Sequence, residues 1–255
     1  MEISDKTNEN LGAPIAIIQS KKNGNKFIYV KDGNSIKSFT CQDDETVEQI
    51  PNVLKERDVI YCSGMSGSGK SFYIKNFAQW YQRLHKEREI FLFSGIEEDS
   101  GSLDKIKDLK RVKIFEDGFI ESDFSLEDFK NSLVIFDDLE MINHKPLKTK
   151  IMKLQHSMLC GGRHKQISVC VANHSVANGA ETKLILNESN TIVLYCKGLG
   201  KRVLKYVLDD YLGQDKATIE KITRAKSRWV AILKTFPMVC LHERGAFVLN
   251  THDED

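Results

Sequence analysis

The sequence predicts an α/β fold built on a mostly parallel central sheet. Short apolar runs recur from residue 59 onward, and several have no polar interruption, as strands buried on both faces do. Segments of helical periodicity lie between these runs, and this alternation is typical of helices packed on a parallel sheet. The predicted strands are Val59–Ser63, Ile90–Ser94, Val112–Phe115, Leu133–Phe136, Ile167–Ala172 and Ile192–Cys196. The predicted helices span residues 71–87, 124–130 and 146–160.

Both ends of the chain depart from this alternation of strands and helices. Residues Ile15–Ser20 and Lys26–Lys31 flank a turn that contains glycine, and they predict an antiparallel hairpin outside the main sheet. Toward the C-terminus, a charged helical stretch at 215–228 precedes apolar runs at Trp229–Lys234 and 239–249, which predict a terminal pair of strands. We expect the last residues, Thr251 to Asp255, to be frayed.

The composition indicates a globular protein with one main domain. The chain has 255 residues, 41% hydrophobic and 29% charged, which is enough for a sizeable core. No apolar run approaches the roughly 20 residues that cross a bilayer, and the polar N-terminus does not resemble a signal peptide. We therefore expect a cytosol-like compartment and no membrane partner. The six cysteines lack CxxC spacing, which predicts reduced structural thiols.

The charges are unevenly distributed along a chain whose net charge is only +1. Residues 141–166 contain six Lys or Arg and no acid, and residues 197–228 contain nine Lys or Arg against four acids. Residues 97–128 instead carry eleven acids against five bases. This asymmetry fits a protein with one surface facing a polyanion, although charged segments also serve simply as solvated faces.

Residues 64–71 match the phosphate-binding loop G-x-x-x-x-G-K-[ST], between a predicted strand and a predicted helix as the motif requires. Its glycines let backbone N–H groups point at phosphate oxygens, next to the positive end of a helix. Lys70 is predicted to reach the β- and γ-phosphates, and the Ser71 hydroxyl to bind Mg²⁺. The residues expected to bind ATP are Gly64, Met65, Ser66, Gly67, Ser68, Gly69, Lys70, Ser71 and Phe72.

Two carboxylates follow the apolar run Leu133–Phe136. Asp137 fits the role of positioning Mg²⁺ through metal-bound water. Asp138 is predicted to orient or deprotonate a water that attacks the γ-phosphate, and Glu140 is the alternative for this role. The structural alternative is a solvated acidic turn after a strand. A GTPase would need an Asn-Lys-x-Asp tetrapeptide, which the sequence lacks. A small-molecule kinase would need an Arg-rich lid, whereas the segments after Leu133–Phe136 predict a long basic helix and another core strand. ATP hydrolysis is therefore the favoured reaction.

The second predicted helix leads to an arginine and then to another strand. Apolar residues at 147, 151, 154 and 158 form one stripe, and Gly161 with Gly162 should end the helix just before Arg163. In ATPases with an extra strand between the P-loop strand and the acidic strand, the end of that strand points at the γ-phosphate. Asn173 would then be a polar sensor, and Arg163 could meet a neighbouring subunit's nucleotide. The alternatives are a turn amide for Asn173 and an arginine that caps helix carbonyls for Arg163.

These motifs resemble those of the poxvirus-type genome-packaging ATPases of large DNA viruses and their virophage-like relatives, within the FtsK–HerA superfamily. The resemblance covers about residues 55 to 250. It implies a RecA-like P-loop NTPase fold of the ASCE type and a homo-oligomeric ring around double-stranded DNA. It also implies ATP-driven, sequence-independent translocation of DNA into a preformed capsid. The segments that carry it are the P-loop, Leu133–Asp138, Gly161–His164, the strand that ends at Asn173, and Arg228–Pro237.

The resemblance assigns residues and partners as well. Arg163 matches the arginine of the family's Gly-Arg-His motif, Asn173 stands where members often have Gln, and Asp138 stands where the superfamily commonly has Glu. The cofactors implied are ATP and Mg²⁺, and the partners are DNA and a capsid or portal vertex protein. The location implied is the host cytoplasm, in a virus factory, or the virion. The spacing of the histidines at 144, 156, 164 and 174 matches no compact metal motif.

We expect an N-terminal extension at 1–55, an ATPase core at 56–200, and a segment at 201–255 that completes the same domain. Two other functions stay open at the level of sequence. One is a RecA- or HerA-like ATPase of DNA repair or transfer. The other is a scaffold that binds nucleotide and hydrolyses it negligibly.

Overall fold

The computed structural model describes residues 1–22, 24–30, 36–55, 57–97 and 102–249. The chain forms two compact units, one from Met1–Leu54 with Asn190–Asp255 and the other from Lys55–Ser189. The division predicted from sequence, at residues 55 and 200, stays a prediction. The expected frayed end at 251–255 lies outside the described residues.

The N-terminal part of the first unit contains five strands: β1 (Glu2–Ser4), β2 (Ala16–Ser20), β3 (Lys26–Tyr29), β4 (Ser38–Thr40) and β5 (Glu45–Gln49). Four of them form an antiparallel sheet in the order β1-β3-β2-β5. The predicted hairpin is confirmed as β2 and β3, with Ala16 opposite Ile28. Lys31, which was predicted to end that hairpin, lies outside the described residues.

The second unit alternates strands with helices. Its elements are β6 (Val59–Ser63), α1 (Lys70–Leu84), β7 (Glu89–Ser94), β8 (Leu109–Arg111), β9 (Ser132–Asp137), α2 (Lys145–Gly161), β10 (Ser168–Asn173) and α3 (Ala180–Glu188). The five strands are all parallel, in the order β6-β10-β9-β7-β8. Every residue of β6 and β9 is buried, as expected for strands covered on both faces. The predicted α/β class with a mostly parallel sheet is confirmed.

Several predicted boundaries change in this unit. The strand predicted at Val112–Phe115 is wrong, because β8 lies three residues earlier and Phe115 is exposed in a turn. The predicted helix at 124–130 is a 3₁₀ turn at Leu126–Phe129. Helix α3 was not predicted. The predicted stripe on α2 is confirmed, since Leu147, Ile151, Leu154 and Met158 are all buried.

The C-terminal part of the first unit contains β11 (Thr191–Leu194), α4 (Lys201–Lys205), a π-helix at Tyr206–Tyr211, α5 (Lys216–Thr223), β12 (Val230–Leu233), β13 (Val239–His242) and β14 (Gly245–Val248). The strands pair antiparallel in the order β11-β12-β13-β14-β4. The first strand of the predicted terminal pair is confirmed as β12, whereas the second, predicted at 239–249, is a hairpin of the two strands β13 and β14. At Gly245 the carbonyl oxygen of Phe39 lies 2.2 Å from where a Cβ would stand, so only glycine lets β4 pair there.

Two further features of the described chain concern its cysteines and the apolar character of its helices. All six cysteines are free thiols, and burial raises the pKa of Cys41 and of Cys196 to about 11. Throughout the described ranges, no helix combines the length and the apolar character needed to cross a membrane.

Candidate active site

The P-loop joins the carboxyl end of β6 to the first turn of α1. Gly67 and Gly69 adopt positive φ angles of 71° and 108°, which L side chains rarely adopt and which let the loop curl. The hydroxyl oxygen of Ser68 is buried and has no hydrogen-bond partner among the described residues. A buried hydroxyl of this kind inside a phosphate-binding loop fits a bound phosphate oxygen.

Lys70, the first residue of α1, is only 6% exposed. Its ammonium donates hydrogen bonds to the carbonyl oxygens of Gly64 at 2.8 Å and Met65 at 3.3 Å, which compensates its burial. Met65 and Phe72 are largely exposed beside the loop. The lysine is thus held within the curl of the loop, and two apolar side chains lie where a ligand could cover them.

Strand β10 lies between the P-loop strand and the acidic strand. Asn173 is paired in register with Ser63 on β6, and Ala172 is paired with Asp137 on β9. Neighbouring strands are about 4.8 Å apart, so the Asp137 end of β9 is roughly 10 Å from the end of β6. The carboxyl ends of these parallel strands meet at one edge, which is where open α/β sheets bind ligands.

The turn after β9 depends on a close backbone contact. Asp138 has a left-handed backbone with φ of 50°, which ends the strand. The N–H of Gly95 donates to the carbonyl oxygen of Asp137 at 2.9 Å. A Cβ on Gly95 would lie 2.1 Å from the carbonyl oxygen of Asp138, so only glycine permits this approach. Gly95 therefore fixes the backbone that carries the predicted catalytic carboxylate.

His174 contacts both predicted charged groups, although sequence analysis gave it no role. Its Nε2 lies 2.9 Å from Asp138 Oδ1, and its Nδ1 lies 3.5 Å from Lys70 Nζ. The first contact is close but not aligned as a hydrogen bond, because Asp138 Oδ1 accepts none from any described residue. The backbone N–H of His174 donates to Glu140 Oε2 at 3.2 Å. The only sequence signal for this residue was its position directly after Asn173.

Arg163 does not lie with the other predicted site residues. It is exposed in a short 3₁₀ helix, Gly162–Lys165, that precedes the amino end of β10. The P-loop and the acidic pair lie at the opposite, carboxyl end of the strands. Six residues of β10 separate the two edges, or about 20 Å at 3.3 Å per residue.

A different arginine caps the end of α2. The guanidinium of Arg57 donates to the carbonyl oxygens of Met158 and Leu159, both at 2.6 Å. A Cβ on Gly162 would come within 2.8 Å of Arg57 Nη1, so the glycine makes room for this cap. Arg57 therefore caps these two carbonyls. Capping of helix carbonyls was the alternative role considered for Arg163.

The residues at the site suit Mg²⁺ as a cofactor. Asp137 is 3% exposed at the end of β9, and the Ser71 hydroxyl lies in the first turn of α1. Within the described part of the chain, no three His, Cys, Asp or Glu residues form a metal-binding cluster. Mg²⁺ is often held by one or two protein oxygens together with substrate phosphates, so a hydroxyl and a carboxylate are an adequate set.

The loop, the strand order and the acidic pair define a P-loop NTPase with an extra strand between the P-loop and acidic strands. No family model matches the chain. It is 32% identical over 196 residues to "Uncharacterized protein V3" of Sputnik virophage, covering 76% of this chain and 78% of V3. The chain belongs to the family of this virophage protein.

The chain is also similar to solved structures. The genome packaging NTPase B204 from Sulfolobus turreted icosahedral virus 2, in complex with ATP-gammaS, matches with a TM-score of 0.50 and 15% identity. The match covers 73% of this chain and 98% of B204. The pCW3 conjugation coupling protein TcpA matches at a TM-score of 0.48 and 12% identity, over 95% of this chain and 78% of TcpA. The B204 match confirms the predicted fold, and the relationship to V3 confirms the predicted resemblance to virophage proteins.

Proposed function

We propose that this protein is an ATP-hydrolysing motor that moves double-stranded DNA into a preformed capsid. The observation that carries the proposal is the position of β10, which aligns Asn173 between the P-loop and the pair Asp137–Asp138. That arrangement suits activation of a water against a γ-phosphate. The virophage relative and the packaging NTPase B204 with the same fold support a viral role.

In this proposal each residue has one task. Lys70 and the P-loop N–H groups bind the β- and γ-phosphates, and Ser71 with Asp137 holds Mg²⁺. The metal, when bound, offsets negative charge on the phosphates. Asp138 orients the attacking water and accepts its proton, and the Asn173 amide contacts the water or the γ-phosphate. Glu140 is less suited to the proton transfer, because its carboxylate accepts the backbone N–H of His174.

The position of Arg163 supports an oligomeric enzyme. At about 20 Å from the P-loop edge, the arginine is out of reach of the nucleotide bound by its own subunit. Its exposure leaves it accessible to the site of a neighbouring copy. We therefore assign it as an arginine supplied across a subunit boundary in a ring, which makes hydrolysis depend on assembly.

The DNA-binding residues are proposed from charge and exposure. On α2, Lys150 is already engaged, because its ammonium donates to the carbonyl oxygens of Phe119 and Ile120 at 2.7 and 2.8 Å. Residues 197–205 offer a better surface, since they contain no acid. The exposed cations of this segment, which we call the 197–205 patch, are Lys197, Lys201, Arg202 and Lys205. They would follow the phosphate backbone without reading sequence.

The test is ATP hydrolysis by the assembled protein with and without double-stranded DNA, over a series of salt concentrations. We expect DNA to stimulate hydrolysis regardless of its sequence. Replacing Lys201 and Arg202 together with glutamate should weaken DNA binding and lower the salt slope of log K by about two, at roughly 0.9 per phosphate contact. Basal hydrolysis should not change.

The matched control exchanges Lys105 and Lys107, two exposed lysines of the acidic segment, for glutamate. This control should keep the wild-type salt slope. Hydrolysis that ignores DNA would contradict the motor and favour a nucleotide-driven activity of another kind. A complete absence of multiple turnover would favour the nucleotide-gated scaffold. Encapsidation of DNA that depends on this activity would separate packaging from DNA repair or transfer.

A further inference from the structure

His174 lies between two charged groups on which the proposed hydrolysis depends. Its ring faces the ammonium of Lys70 with Nδ1, at 3.5 Å, and the carboxylate of Asp138 with Nε2, at 2.9 Å. An ammonium group has no lone pair, so the Nδ1 that faces it must supply the lone pair itself. The ring proton then resides on Nε2, the nitrogen on the Asp138 side of the ring. The geometry thus favours the tautomer whose proton is on Nε2.

The segment that carries His174 is fixed from both sides. Its backbone N–H donates to Glu140 Oε2 at 3.2 Å, which ties it to the turn after the acidic strand. The hydroxyl of Tyr61 on β6 donates to the carbonyl oxygen of Ser175 at 2.6 Å and to that of Val176 at 3.2 Å. Burial raises the pKa of the Tyr61 hydroxyl, so it keeps the proton that it donates. The backbone that carries the ring is therefore fixed at residues 174 to 176.

We propose that His174 is a positioning residue that orients the Asp138 carboxylate and ties its orientation to the P-loop lysine. This inference rests on the proposed ATP hydrolysis. The Asp138 side chain is only 17% exposed, and among the described residues the imidazole of His174 is the basic group within ion-pair distance of it. Since the contact with Oδ1 is not aligned as a hydrogen bond, the oxygen keeps its capacity to accept a proton from water.

The arrangement sets a chemical requirement at position 174. The side chain must have a lone pair on the side of Lys70 and an N–H group on the side of Asp138. An amide meets this requirement, because it has both an acceptor oxygen and a donor nitrogen. Alanine supplies neither group, and glutamate would repel Asp138 while attracting Lys70. The rate of hydrolysis should therefore fall in the order wild type, His174→Gln, His174→Ala, with His174→Glu no faster than alanine.

The experiment measures steady-state ATP hydrolysis and, separately, binding of a fluorescent ATP analogue by the full chain. For His174→Ala we expect kcat to fall about 10- to 100-fold, as for other residues that orient a reacting group, with unchanged nucleotide affinity. The control is His156→Ala, which replaces an exposed histidine of α2 and should have the wild-type kcat. Combining His174→Ala with Asp138→Asn should lower the rate no further than Asp138→Asn alone, because both changes remove one function.

Three results would overturn the proposal. The first is a wild-type rate in His174→Ala, and the second is a fully additive loss in the double variant. The third is a loss of nucleotide affinity that accounts for the whole loss of rate. If His174→Ala melts well below wild type, His174→Gln takes its place in the same cycle. A wild-type protein that hydrolyses no ATP would refute the proposed function as well, whereas an active wild type with an indifferent His174→Ala refutes this inference alone.

Discussion

Arg163→Ala should lower the rate of ATP hydrolysis by about 10³- to 10⁵-fold, as removal of an arginine supplied in trans does. ATP binding should be retained, because Arg163 lies at the sheet edge opposite the P-loop of its own subunit. Phosphate release by the assembled oligomer measures the first effect, and equilibrium binding measures the second. Arg224→Ala, which removes an exposed arginine of the first unit, is the matched control and should leave the rate unchanged.

Mixing variants distinguishes an arginine in trans from one that acts within its own subunit. Arg163→Ala subunits keep an intact P-loop, and Lys70→Ala subunits keep an intact arginine. A mixed ring therefore contains interfaces at which both groups are present. We expect the mixture to recover part of the activity that each variant alone lacks. Failure to recover any activity in rings shown to be mixed would contradict the assignment of Arg163.

Asp138→Asn should lower hydrolysis by about 10²- to 10⁴-fold, the usual contribution of a positioned general base. The amide has nearly the same shape as the carboxylate but cannot accept the proton of the attacking water. ATP and Mg²⁺ should still bind, since Lys70, Ser71 and Asp137 are unchanged. Single-turnover hydrolysis with bound ATP measures the chemical step directly. Glu140→Gln is the comparison, and a larger loss there than in Asp138→Asn would exchange the two roles.

The sequence was sufficient for the parts of the fold that rest on local signals. The P-loop, the acidic strand and the stripe of α2 follow from a motif and from periodicity within a few residues. In the N-terminal part of the first unit, strand β5 was not predicted because it buries polar residues. Glu45 is 4% exposed and pairs with Lys26 at 3.2 Å, and Gln49 is 5% exposed and donates to Thr191 at 3.1 Å. Such strands lack the apolar alternation that predicts them.

The edge strand β8 was predicted at the wrong position. β8 contains Leu109, Lys110 and Arg111, and its arginine pairs with Asp104 at 2.8 Å. Charged residues are common on edge strands, because they discourage further pairing. The apolar residues that follow, Ile114 and Phe115, drew the prediction three residues too far along the chain.

The site residues differ in whether a local sequence signal predicts them. Lys70, Asp138 and Asn173 were predicted because each belongs to a recognisable motif or ends a recognisable strand. His174 was missed because its partners are 36 and 104 residues away in sequence, and only the fold brings them within 3.5 Å. For Arg163, the fold shows at which edge of the sheet the residue lies, and the spacing of residues in the sequence does not reveal this.

The central claim is that Mg²⁺ and ATP bind together between the P-loop and Asp137. Titrating ATP into the wild type and into Asp137→Ala, each with Mg²⁺ and with a chelator, tests it most directly. We predict that Mg²⁺ strengthens binding to the wild type and has little effect on binding to Asp137→Ala. Equal dependence on Mg²⁺ in both proteins, or no binding of ATP by the wild type, would contradict the account.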